Sequence, residues 1–457
     1  MTREAFDCIV VGARCAGAPL AAHLARGGMR VCIVDAAKLP SDQPFSTHAI
    51  QPGGMDRLDE LGVGDAVRAV APVISVNRFV LGGSVVDIRL RNGRPMYCPR
   101  RTTLDSLLAN AAVAAGAELR DETAVVDLLH EDGRVRGVRV RHKGSTADLR
   151  ARLVVGADGR NSTVAKRVGA AEYNAVESQR AGYWGYFPVT PAVERLGFQA
   201  YIEIRHADLC FFFRTESGLA VAGALAPPAV ARTWTRDVEG SVRARLADSD
   251  VTSSLVDSGA RPVGRLVGLM KLRGFFRVPV GPGWALVGDA GLHKDPTAGL
   301  GITDALRDAK ALSIAILDGR EAALEVYWRK RDVDSTALYA NATDLGSLDY
   351  HNPLNEMILR HIGSKPEFLP RLERVVEREL SPYELVPPWQ AFAWTAAALL
   401  RAKKRVFGSF LNGGKRSAQV ARELSARSAL LEEAKRRLER DDTPRAGASE
   451  PRKAAAV

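Results

Sequence analysis

The most constraining feature of this chain is its first 35 residues. Residues 6–11 form a short apolar run rich in β-branched side chains, and Gly12-Ala13-Arg14-Cys15-Ala16-Gly17 follows. An amphipathic stretch from 18 to 26, a Gly27-Gly28 stop and a second apolar run ending in Asp35 complete the segment. Strand, glycine turn, helix and strand within about 30 residues is the setting in which a dinucleotide fingerprint works. Gly12 permits the tight turn off the strand, and Gly17 lets the helix pack closely on the sheet. With Ala13 and Arg14 these residues surround a helix N-terminus, whose unpaired N–H groups and dipole attract a pyrophosphate. Asp35, 23 residues after Gly12, is placed to accept from ribose hydroxyls. The fingerprint's middle glycine is replaced by Arg14, whose Cβ restricts backbone approach but whose guanidinium can bond phosphate oxygens instead. This unit predicts dinucleotide binding without separating FAD from NAD(P).

Two later segments narrow the choice. Residues 153–164 read Leu-Val-Val-Gly-Ala-Asp-Gly-Arg-Asn-Ser-Thr-Val, an apolar run leading to Asp158-Gly159, with Ser162 placed to start a helix through Lys166. Residues 284–305 hold a strand ending in Gly288-Asp289, a loop with Pro296 and Gly299-Leu300-Gly301, and a helix from about Ile302. A fourth segment, Arg101-Thr-Thr-Leu104-Asp-Ser-Leu107-Leu108, opens a helix through Ala115.

In this order the segments resemble the group A flavoprotein monooxygenases, the family of para-hydroxybenzoate hydroxylase, over roughly residues 5–330. The resemblance implies FAD as cofactor, with NADH or NADPH and O2 as co-substrates. It implies hydroxylation or epoxidation of a small aromatic, polyketide or isoprenoid-like substrate through C4a-hydroperoxyflavin. It places Asp289 on the ribityl chain and Pro296 over the ring. The backbone N–H groups of Gly299, Leu300 and Gly301 fall at the pyrimidine edge, Arg101 against the flavin and Val125 near the adenine. Asp158 matches the aspartate associated with FAD and productive NAD(P)H contact. Leu292 stands where many members carry His, with His293 one place later. His48, in the polar segment 46–51, is the candidate base for a phenolic substrate, against a purely structural role.

The expected fold class is α/β, with a discontinuous Rossmann-type FAD-binding domain from 1–75, 99–178 and 279–330. A mostly antiparallel β-sheet substrate domain is expected from 76–98 and 179–278. A helical region is expected over 331–440 and disorder over 441–457. Asn92-Gly93 between 85–91 and 94–97 predicts a hairpin, as does Glu131-Asp132-Gly133 between 123–129 and 135–141. Strand-like runs at 200–205, 209–214 and 219–225 precede a helical piece at 238–248.

The net charge of +11 is concentrated, because residues 401–457 hold fifteen Lys/Arg against seven Asp/Glu, eight of the eleven surplus charges. That argues against a nucleic-acid partner for the remainder of the chain. The apolar stretch 389–400 before Lys403-Lys404-Arg405 reads as a packed helix, with peripheral membrane contact by this basic region as its alternative. No apolar run reaches the length of a membrane span. The first strand begins too early for a signal peptide. The five cysteines lack metal or disulfide spacing, so reduced thiols, no metal and a cytoplasmic monomer or homodimer are expected. Three rival functions remain. The first is a double-bond reductase of geranylgeranyl reductase type, which Tyr183-Trp184-Gly185-Tyr186-Phe187-Pro188 resembles out of register. The others are a flavin-dependent halogenase, whose W-x-W-x-I-P segment is missing, and a non-enzymatic FAD sensor.

Overall fold

A computed structural model describes residues 5–42, 46–90, 94–257, 259–400 and 405–441. Its largest sheet has eight strands and takes its parallel core from three distant parts of the chain. Ala5–Val11 lies between Val31–Val34 and Ser145–Gly156, and Trp284–Leu286 continues the sheet beyond Ser145–Gly156. Strands buried on both faces read as continuous apolar runs, which is why Val31–Val34 carries no polar residue and is buried throughout. The register pairs Val11 with both Val34 and Gly156, and Gly156 with Leu286. These strands therefore end flush, and Gly12, Asp35, Ala157-Asp158 and Gly288-Asp289 emerge along one carboxyl edge. Helices Gly17–Arg26, Arg101–Ala114 and Gly301–Asp318 cover one face through a single apolar core.

The second large sheet has seven strands: Val263–Leu269, Ala181–Pro188, Leu219–Ala226, Asp208–Thr215, Ala200–Arg205, Val76–Leu81 and Ser84–Arg89, in that spatial order. All neighbours are antiparallel except Ala200–Arg205 beside Val76–Leu81. The hairpin expected at Asn92-Gly93 is not the pairing found. Ser84–Arg89 pairs back onto Val76–Leu81 across Gly82-Gly83, while Met96–Tyr97 pairs with Val73–Ile74. Gly82 has φ +57, so the earlier glycine turn takes the strand first; residues 91–93 lie outside the described residues. The second hairpin forms as expected, Thr123–Glu131 against Arg134–His142, with Asp132 and Gly133 both at positive φ.

After residue 320 the chain is helical, with Glu321–Gly346 packed along Arg405–Arg440. Pro388–Leu400 is a helix of divided character. Trp394 stacks on His361 and meets Phe368, whereas Trp389 and Phe392 are 68% and 64% exposed. The packed reading thus holds for one face only. Lys403, Lys404 and the tail 442–457 lie outside the described residues. No helix among the described residues is long and apolar enough to cross a membrane.

Candidate functional site

A cavity of about 640 Å³ opens along the carboxyl edge of the eight-stranded sheet. Gly12, Arg14, Asp35, Arg101, Val125, Asp158, Asp289, Pro296, Gly299, Leu300 and Gly301 all line it, so segments almost 290 residues apart converge on one space. Ala13 and Gly17 stand behind the wall. The glycines are there for clearance. A Cβ on Gly12 (φ +103) would sit 2.5 Å from the Ala157 carbonyl oxygen, and one on Gly17 would sit 1.8 Å from that of Gly12. At Gly301 the same atom would meet nothing within 4 Å, because that position faces the open cavity.

Several of these side chains also hold the walls in place. Asp35 accepts from the backbone N–H of Ala13 (2.8 Å) and of Ala37 (2.9 Å), tying the second strand to the glycine turn. Arg14 donates to Ser41 Oγ at 2.8 Å. Arg101 makes two 3.0 Å bonds from one nitrogen to the Asp105 carboxylate one turn on, and Cys15 Sγ donates to the same carboxylate. Asp158 accepts from Ser162 Oγ (2.5 Å) and from the Thr163 N–H (2.6 Å), bracing the start of the helix Thr163–Arg167, whose N-cap is Ser162. Asp289 differs: its residue is exposed to the cavity. Leu300 caps the helix Gly301–Asp318, whose first N–H groups have no intrahelical acceptor and a dipole suited to an anion.

His48 does not line this cavity, although its neighbours Thr47 and Ala49 do. It is fully buried, with a left-handed backbone (φ +64) that turns its ring toward Tyr186, Nε2 to Oη 2.7 Å. Tyr186 Oη in turn donates to Asp42 at 3.0 Å, so Nε2 must carry the imidazole proton and Nδ1 is the bare nitrogen. Nδ1 has no hydrogen-bond partner among the described residues. Burial first, then the Arg101 charge, lowers the His48 pKa to about 3. In this arrangement His48 is a buried hydrogen-bonding side chain outside the cavity lining.

A second, apolar pocket adjoins the first and shares Ser46, Thr47, Trp184 and Pro296 with it. Its floor is the seven-stranded sheet. Leu209, Phe211 and Phe213 alternate along one strand and so share a face. Ile202 pairs with Phe211 on one side, and Leu225 with Leu209 on the other. Gly223 lies between Trp184 and Phe211; a Cβ there would fall 2.2 Å from the Trp184 Cβ. That missing side chain allows the Trp184 and Phe211 rings to meet at 6.2 Å. Among the described residues no ionisable side chain lines this pocket; its polar side chains are the hydroxyls of Ser46, Thr47 and Thr297 and the indole of Trp184. Apart from Trp184, in the segment Tyr183–Pro188, none of these sheet residues carries a motif, and only their apolar strand-like runs could have pointed to them.

These features define a class. Residues 5–256 match the family model for the FAD binding domain, and the chain belongs to that family. It is an FAD-dependent oxidoreductase. The residues present fit FAD, given the glycine-cleared cavity, the helix N-termini facing it and the exposed Asp289. Among curated relatives, it is 24% identical to digeranylgeranylglycerophospholipid reductase 2 of Methanococcoides burtonii, over 67% of this chain and 74% of that one. It is 26% identical to menaquinone reductase of Mycolicibacterium smegmatis, over 68% and 76%. It is 33% identical to 6-methylpretetramide 4-monooxygenase of Streptomyces rimosus, over 37% and 42%. Among solved structures, a flavin-dependent brominase superposes with a TM-score of 0.71 at 15% identity, covering 88% of this chain and all of the other. The p-nitrophenol 4-monooxygenase of Pseudomonas putida gives 0.70 at 18% identity, covering 82% and 98%. These structures share the fold.

Proposed function

We propose that this chain is a monooxygenase that inserts one oxygen atom into a neutral, apolar organic substrate. One observation carries the reading: an apolar pocket of about 30 Å³, which must widen to admit a substrate, adjoins the cofactor cavity beside Pro296, and among the described residues no ionisable side chain lines it. In the accompanying placement of FAD, Gly12, Ala13, Arg14 and the helix at Gly17 hold the pyrophosphate, Asp35 the ribose, and Val125 borders the adenine. Asp289 holds the ribityl chain, while Arg101, Pro296 and the N–H groups of Gly299, Leu300 and Gly301 surround the ring. Asp158 keeps the wall between them by bracing the start of the helix Thr163–Arg167. The chemistry supplied by bound FAD is two-electron transfer from NADH or NADPH to O2, with one oxygen atom passing to substrate and the other leaving as water. The protein's own part is positioning and exclusion of water: Trp184, Phe211, Phe213 and Leu225 form a dry surface at the ring's edge.

The rival is a double-bond reductase, supported by the relatives named for prenylated lipid and quinone reduction. A reductase must deliver a proton as well as a hydride to an apolar carbon. Among the described residues this pocket offers no ionisable acid, which favours oxygen transfer, where no protein acid need face the carbon. The deciding measurement is oxygen uptake with NADH or NADPH across neutral aromatic, polyketide and isoprenoid compounds. Substrate-stimulated uptake with a product heavier by one oxygen atom supports the proposal. Anaerobic saturation of a double bond without oxygen uptake overturns it.

A further inference from the structure

We infer that Lys294 sets a positive charge against the ring end of the cofactor cavity, positioned there by Asp304, and that this charge favours reduced over oxidised FAD. The inference rests on the placement of the ring beside Pro296 and Gly299–Gly301 proposed above. Lys294 lies on the loop two residues before Pro296 and lines the cavity together with Asp304. It is only 8% exposed, and its Nζ donates to Asp304 Oδ2 at 2.7 Å. Asp304 stands in the first turn of the helix that Gly301 opens.

This is not a closed ion pair. Arg307 Nη1 approaches the same carboxylate at 3.4 Å, and Arg378, reaching in from the helical region, donates to its other oxygen. Arg307 also pairs with Asp308 at 2.7 Å, and Arg378 otherwise meets only the neutral Gln51 amide at 3.5 Å. Among the described residues, the groups in direct contact are three cations, Lys294, Arg307 and Arg378, against two carboxylates, Asp304 and Asp308; Asp334, which also acts on Arg307, is paired with Lys330. Buried charges are ordinarily balanced by partners. Here one positive charge is left over, and of the three cations Lys294 lines the cavity. Burial pushes Asp304 up, but Arg378, Lys294 and Arg307 outweigh it and hold the carboxyl far below its ordinary range. Burial holds the Lys294 amine below its ordinary range, and Asp304 opposes that pull.

A flavin taking up two electrons and one proton becomes an anion, with its charge spread over the pyrimidine ring. The leftover cation adds to the dipole of the helix at Gly301, and both lower the energy of that anion relative to the neutral oxidised ring. Asp304 acts through Lys294 and is a positioning residue. The two side chains therefore predict opposite shifts, which a merely structural pair would not produce.

The test is the midpoint potential of FAD in the full-length holoprotein, measured anaerobically against a reference dye with no substrate present. At fixed solution potential, Lys294→Met is expected to lower the ratio of reduced to oxidised FAD at least tenfold, a shift of about 30 mV for a two-electron couple. Lys294→Arg should stay near wild type. Asp304→Asn should move the ratio the other way, because it leaves three cations facing one carboxylate. An unchanged potential in Lys294→Met with FAD retained overturns the inference. So does a fall in potential in both Lys294→Met and Asp304→Asn. If Lys294→Met does not hold FAD, the opposite sign in Asp304→Asn and the retention in Lys294→Arg still decide the matter. Oxygen uptake tests the proposed reaction, whereas this potential needs neither oxygen nor substrate, so the two fail separately.

Discussion

Two cavities meet at Ser46, Thr47, Trp184 and Pro296, and their walls are built from opposite chemistry. One is lined by loops at strand ends and carries Asp35, Arg101, Asp158, Asp289 and Lys294. The other is lined by the face of a sheet, with aromatic and aliphatic side chains and three hydroxyls. The difference separates two tasks. A charged cofactor needs backbone donors, dipoles and glycine clearance at fixed places. An apolar substrate needs surface from which water is excluded, and any well-packed set of side chains can supply that.

The comparison can be broken most severely at its polar end. Gly12→Val puts branched carbon where a Cβ already meets the Ala157 carbonyl at 2.5 Å, on a backbone with φ +103. FAD should be lost on gel filtration, read as disappearance of the visible flavin band, with affinity down by at least about a hundredfold. Ile202→Asp attacks the apolar end, since Ile202 is half-buried and lines the second pocket. An unpaired carboxylate in such a wall costs several kcal/mol. The kcat/KM for a neutral apolar substrate should fall about a hundredfold while the flavin band stays. If FAD leaves as well, the two cavities are not separable.

His48 sits behind the wall between them and offers a smaller effect, visible in pH. Its folded pKa of about 3 lies below the ordinary 6.5, burial being the larger cause. Between those values the unfolded chain binds a proton that the folded chain refuses, so stability falls as pH falls and nothing is lost above 6.5. His48→Gln should remove about 2 kcal/mol of the loss between pH 7 and pH 5, read from urea midpoints. It should leave no missing limb near pH 6.5 in the rate, because the ring does not reach the cavity. A lost limb would restore His48 as the base. Smallest is Asp158→Ala, which deprives the Thr163 N–H of its acceptor and should cost about 1 kcal/mol in the same denaturation. A much larger loss, confined to the FAD-bound form, would show that Asp158 serves the cofactor directly.

The same division explains what could be read in advance. The Gly12 turn, Asp158-Gly159, Gly288-Asp289 and the Pro296–Gly301 loop are legible because the backbone itself does the work there, and only a few residue types permit it. The run 200–226 is legible as apolar strand-like stretches, and the three strands stand within one or two residues of their expected bounds. The turn at Asn92-Gly93 misled, because Gly82-Gly83 competes for the same strand and wins on pairing with Val76–Leu81. His48 was singled out for its residue type. Its left-handed backbone and the Tyr186 hydroxyl, 138 positions away, turn it elsewhere.

By itself the sequence determined the nucleotide-binding edge, since glycine clearance, helix starts and strand-end carboxylates are local requirements written in consecutive residues. Only the tertiary structure decided which faces of the second sheet meet at Pro296 and that Gly223 leaves room for Trp184. It also decided that Arg378, 74 positions after Asp304, donates to the carboxylate that holds Lys294. Those are sums over residues far apart in the chain, and side-chain packing and net charge at a point exist only once the chain has closed on itself.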